Sequence, residues 1–145
     1  MHIQVARVVV VVSTVFLGAG CTTVASMASE PSDEDISFSI SATCSFVRDA
    51  LQPALLGLKF TIRTVDDSGA CDRDVVATKG MSAFSWGELV RVTTREGDAN
   101  TTILSVTTKR RLATNIIAKG DWSKEIHAAV IKQLNALGKL SDPAG

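Results

Sequence analysis

Of four strand-like stretches between residues 58 and 109, three alternate apolar with polar side chains, and that period of two commits the middle of the chain to half-buried strands. Leu58, Phe60 and Ile62 alternate with Lys59, Thr61 and Arg63; a short stretch follows from Asp74 to Lys79. "SWGELVRVTTR" sets Trp86, Val90 and Val92 on one face and Arg91, Thr93 and Arg95 on the other, and "TTILSVTTK" sets Leu104 and Val106 against Ile103 and Ser105. "VDDSGACD" and "EGDAN" supply turns. A further alternation, Ile36, Phe38 and Ile40 against serines, precedes them. Two segments have helical spacing instead. Thr43 is a cap for a helix bearing Phe46, Val47, Ala50, Leu51 and Leu55, ending at Gly57, with Pro53 expected to kink or split it. Asp121 caps a longer one with Trp122, Ile126, Ala129, Val130, Leu134 and Leu137, stopped by Gly138. This order predicts an α+β domain: a two-layer sandwich in which an antiparallel sheet of four to five strands is packed by an N-terminal and a long C-terminal helix.

The first 20 residues follow a different rule. Met1 to Arg7 carries Arg7 and the amino terminus, and Val8 to Leu17 is then an uncharged, almost wholly apolar run of ten residues. That is the charged-then-apolar order of a secretory signal, and it is short of the roughly 20 residues that span a bilayer. Gly18, Ala19 and Gly20 stand directly before Cys21, and the stretch "FLGAGCTTV" resembles the lipobox of bacterial prolipoproteins. The resemblance implies that Cys21 is acylated and becomes the first residue, and Thr22 after it implies outer-membrane sorting with the domain facing the periplasm. The competing reading is an uncleaved membrane helix within Val8 to Ser29. The expected organisation is a signal peptide over 1–20, a flexible tether over 21–35, the α+β domain over 36–140 and a tail over 141–145.

The sandwich resembles a reduced helix-grip domain. The pieces "SWGELVRV", "TTILSVTTK" and "GDWSKEI", in that order, are also similar to a loose set of uncharacterised bacterial envelope proteins, over about residues 36 to 137. In place of the glycine and asparagine expected at the last helix start stand Ser123 and Glu125. That set implies no catalytic residues.

Of three cysteines, Cys21 is accounted for by acylation, which leaves Cys44 at the start of the first helix and Cys71 in a turn at the same end of the domain. In an oxidising compartment such a pair is expected to bridge; the alternative is two buried free thiols. Whole-chain charge is balanced at 15 basic and 15 acidic residues, and loss of the signal removes only Arg7. Without a basic excess there is no case for nucleic acid.

Few residues suggest reaction chemistry. His127 is the only imidazole beyond the signal, and it lies near the boundary of the apolar helix face rather than beside a nucleophile. Asp66 and Asp67 read as a turn pair, and the carboxylates from Asp33 to Asp35 belong to the tether. "TKGMS" around Gly80 has no phosphate-loop spacing, and cysteines without CxxC spacing predict no metal. No cofactor is expected. Two features suit binding: Lys109, Arg110 and Arg111 as a basic loop patch for anionic surfaces, and Trp86 with Trp122 as walls of a groove between sheet and last helix. The function expected is therefore non-enzymatic: a membrane-anchored envelope domain that binds a ligand or partner protein or supports assembly, or, as the alternative, a carrier of a small apolar ligand in that groove.

Overall fold

The computed structural model describes residues 23–29, 35–80, 87–98, 100–110 and 121–140. Five strands form one sheet: β1 (Ile36–Ile40), β2 (Phe60–Asp67), β3 (Arg73–Lys79), β4 (Glu88–Glu96) and β5 (Thr102–Arg110). All neighbours are antiparallel, in the order β1-β5-β4-β3-β2. Strands β2 to β5 are a meander, and β1 completes the sheet beside β5. Helix α2 (Cys44–Gly57) links β1 to β2, and α3 (Ser123–Ala136) follows β5; α1 (Val24–Ser29) precedes them all. The architecture is α+β.

Pairing fixes which side chains share a face. Val75 opposes Val92, Ala77 opposes Val90, and Val92 in turn opposes Val106. These residues join Ile40, Phe60 and Leu104 in a cluster completed by Val47, Ala50, Leu51, Ala54 and Leu55 of α2 and Ile126, Val130 and Leu134 of α3. The faces expected for the described residues of β4 and β5 match this arrangement.

The helices hold their ends in ways the sequence signals only in part. Thr43 occupies the N-cap of α2 in an extended conformation, but its hydroxyl makes no cap hydrogen bond, and its carbonyl instead accepts from the amides of Phe46 and Val47. Of the kink or split expected at Pro53, the split does not occur: α2 runs through as one element, because Leu51, Ala54 and Leu55 around the proline are buried while Pro53 itself faces solvent. At α3 the Asp121 carboxylate accepts from the Ser123 amide at 2.8 Å, while Trp122 takes the N-cap position. Gly138, at φ +62°, closes the other end, with its amide on the Asn135 carbonyl and that of Lys139 on the Leu134 carbonyl. This is a Schellman motif.

Two differences from expectation bear on the rest. Strand β2 continues through Val65, Asp66 and Asp67, which pair with Val75, Asp74 and Arg73, so the turn shrinks to Ser68–Asp72; an irregularity between Ile62 and Thr64 absorbs Arg63. And the segment expected to be patternless tether contains α1. Thr23 and Ser26 cap it reciprocally, each amide on the other's hydroxyl at 3.0 and 3.1 Å. Met27, 2 % exposed, packs with Val24 against Val76 and Leu89, which point away from the main cluster. The sheet thus carries α2 and α3 on one face and α1 on the other, where helices on one face alone were expected.

Cys44 and Cys71 are joined as a disulfide with Cα atoms 5.1 Å apart, tying the first residue of α2 to the β2–β3 turn across 27 positions. Breaking that link in a Cys44→Ala/Cys71→Ala variant is expected to lower unfolding stability by about 3 kcal/mol, the chain-entropy value for a loop of this size. Guanidinium unfolding of the oxidised and variant proteins measures it; equal midpoints and slopes would contradict the estimate.

Candidate functional site

Trp122 is the tryptophan of the expected groove that can be placed; Trp86 lies outside the described residues. Its indole is held by a ring, a cation and a carboxylate. The Phe60 ring meets it edge-on at 5.3 Å, the Lys79 ammonium sits 3.7 Å from its ring centroid, and its Nε1 donates to Glu88 Oε2 at 2.5 Å. The Trp122 amide donates to the Thr108 hydroxyl, and Lys79 also donates to the Leu58 carbonyl. Glu88 is 5 % exposed, so its carboxylate depends on such donors. The described surroundings of Trp122 are therefore a packed, hydrogen-bonded corner of the core.

The other sequence candidates separate. His127 stacks on Phe38 with ring centroids 4.3 Å apart and planes 7° from parallel, and burial lowers its pKa. Lys109 stands inside β5 opposite Leu89 rather than in a loop after it, Arg110 is the strand's last residue opposite Glu88, and Arg111 lies outside the described residues. The basic loop patch is thus corrected to a strand end for its first two members, because the alternation of β5 runs on through the charged positions. Asp66 and Asp67, expected together in a turn, lie on opposite faces of β2. Asp67 grips Arg73 with both oxygens, at 2.6 and 2.9 Å, and this hydrogen bonding holds its carboxyl below the usual range.

Asp66 faces the other way, into a groove of about 410 Å³ that the sequence did not announce. The groove lies where the β2–β3 turn meets the far ends of β3 and β4. Ser68, Asp72 and Arg73 line the turn side; Asp74, Arg91, Thr93, Thr94 and Arg95 line the strands. Asp74 and Arg91 are bridged, with Arg91 Nε and Nη2 on the same carboxylate oxygen at 2.8 and 2.5 Å, and hydrogen bonding to Asp74 raises the Arg91 pKa further. Asp66, Asp72 and Arg95 complete the lining around that pair.

The rim of this groove is unusually well fastened. Arg48 of α2 donates to the Ala70 carbonyl at 3.3 Å, and Arg73 donates to the Arg48 carbonyl at 3.1 Å. The Thr94 hydroxyl donates to the Cys71 carbonyl at 2.8 Å, and the disulfide anchors Cys71 itself. A turn held from helix, strand and covalent bond presents its polar groups at little ordering cost to a ligand. Its partners are 17 to 25 positions apart in sequence, so no local pattern marks it. Among the described residues, no three His, Cys, Asp or Glu side chains are placed to hold a metal ion.

No protein-family model matches this chain, and no curated protein matches it either.

Two outcomes check the site's packing. Trp122→Phe keeps the ring but removes the donor to buried Glu88, and is expected to cost about 1–3 kcal/mol in chemical unfolding; a loss near zero would mean the bond contributes nothing. For His127 the folded pKa lies below the unfolded value of 6.5. The neutral ring is favoured in the fold, so stability is fully present above that value and declines as pH falls below it toward the folded pKa. His127→Gln should flatten this part of the stability profile, and an unchanged profile would assign the dependence elsewhere.

Proposed function

We propose that this protein is a lipid-anchored, non-enzymatic binding or assembly domain of a bacterial envelope. In this reading the first 20 residues are a signal peptide, Cys21 carries the acyl groups, and the domain is a two-layer sandwich locally overlaid by α1. It sits at the outer membrane facing the periplasm, and its partner is an envelope protein or a ligand of the envelope. The observation that supports it best is the cysteine arithmetic. Cys44 and Cys71 are paired in a disulfide, which suits an oxidising compartment, and the pairing leaves Cys21 as the odd cysteine behind a charged-then-apolar leader and a run of small residues. The candidate binding surface is the fastened groove at the β2–β3 turn. The space beside Trp122 is the weaker candidate, since an apolar ligand there would have to displace the contacts to Phe60, Lys79 and Glu88.

Cys21→Ser should leave full-length precursor without added acyl mass, whereas the unaltered chain extracted from membranes should begin at Cys21, carry acyl groups and weigh two hydrogens less than its fully reduced form. Intact mass under denaturing conditions distinguishes these. Normal processing of Cys21→Ser would overturn the proposal.

A further inference from the structure

The groove and helix α1 lie on the same side of the sheet. Helix α1 starts at Val24, three residues after Cys21, and three peptide units reach at most about 11 Å. Val24 and Met27 are packed on Val76 and Leu89, on the sheet face opposite α2 and α3. Whatever holds Cys21 at a bilayer therefore holds this face near it. The same follows if the apolar run stays as an anchor, because Leu17 is only seven residues from Val24. Asp74 follows Val76 on that face by one strand repeat, and Arg91 follows Leu89 likewise, about 7 Å further along. These two are the paired wall of the groove. The groove is thus the next feature beside the docked arm.

Its lining then meets a particular chemistry. Every described side chain in it is polar or charged, which suits a lipid headgroup and not an acyl chain. Both signs are present: Arg95 and the Thr93 hydroxyl offer donors to a phosphate, while Asp66 and Asp72 offer acceptors to an ammonium. Fully anionic headgroups would meet these carboxylates with repulsion. A group carrying phosphate and amine together satisfies both sets.

We propose that the groove at the β2–β3 turn takes the phosphoethanolamine headgroup of the bilayer beside which the chain is attached, so that the outer sheet face lies against the membrane. The binding chemistry stands on the groove; the lipid source rests on the membrane attachment proposed above.

The full chain in detergent micelles is titrated with glycerophosphoethanolamine, with ethanolamine and glycerophosphoglycerol as single-sign probes, while amide resonances are followed. Saturable shifts over residues 66–74 and 91–95 are expected for glycerophosphoethanolamine, with at least about tenfold weaker binding of either single-sign probe. Arg95→Glu, at an exposed position, should weaken the first by about tenfold or more with the fold intact. No saturable shift, or an equal response to all three probes, would overturn the headgroup assignment. In bicelles containing a lipid with a nitroxide on its headgroup, the amides of Ser37, Thr93 and Ser105 should broaden more than those of Lys132 and Asn135 on α3. Uniform or reversed broadening overturns the membrane-facing orientation and the lipid source even if the soluble probe binds. Intact mass reports attachment independently, so an acylated chain that ignores the headgroup sinks this inference and leaves the anchor standing.

Discussion

The middle of the antiparallel ladder between β3 and β4 is buried on both faces, and the other elements take their places from it. Val75, Ala77, Val90 and Val92 face α2 and α3, while Val76 and Leu89, next to them on the same strands, face α1. All six are at most 1 % exposed. A strand pair with apolar side chains buried on both faces at its middle cannot slip register by one residue without loss, because either face would lose burial. The cost falls on the partners: each face needs a cover, and the chain supplies two long helices for one and six residues for the other. This asymmetry explains why the small helix α1 matters. Its buried Met27 covers apolar side chains that an unhelped meander would leave in water.

The strand faces and the last helix were legible because each is a local repeat. The alternation in β4 and β5 and the three-and-four spacing of Ile126, Val130 and Leu134 require only neighbouring residues to be read. The disulfide was legible by a longer route, since placing Cys44 at a helix start and Cys71 in a turn brought both to one end. What was missed depends on partners distant in sequence. Val65 to Asp67 carry turn-like composition, and they become strand because Arg73 clamps Asp67 and the ladder to β3 outweighs the poor strand propensity of aspartate. Among the described residues of helix α1, Val24 and Met27 make its apolar contacts, too few to show a period, and their burial exists only once β3 and β4 form the surface beneath them.

The same distinction governs the sites. A tryptophan near a helix start reads equally as a pocket wall or as packing, and the decision lies with Glu88, 34 positions away, which accepts the indole N–H, and with Lys79, which covers the ring. With both engaged, the described contacts of the indole are packing contacts. The groove at the β2–β3 turn was invisible for the converse reason. Its charges are scattered over two strands and a turn, and any one of Asp66, Asp74, Arg91 and Arg95 taken alone is an ordinary strand-surface residue.

Why this end of the sheet should be polar and yet rigid follows from how its charges are divided. Arg73 and Asp67 neutralise one another on the helix side, with Arg73 also bound to the Arg48 carbonyl. Asp74 and Arg91 do so on the opposite side. Pairs near the surface contribute little to stability, because solvent screens them. Their larger effect is positional: each consumes one charge of either sign in a fixed geometry, and the disulfide with the Thr94 to Cys71 hydrogen bond keeps the turn between them from moving. A groove built in this way has walls whose charges are already paired and a remaining set, Asp66, Asp72 and Arg95, that a ligand can engage without first breaking the wall pairs.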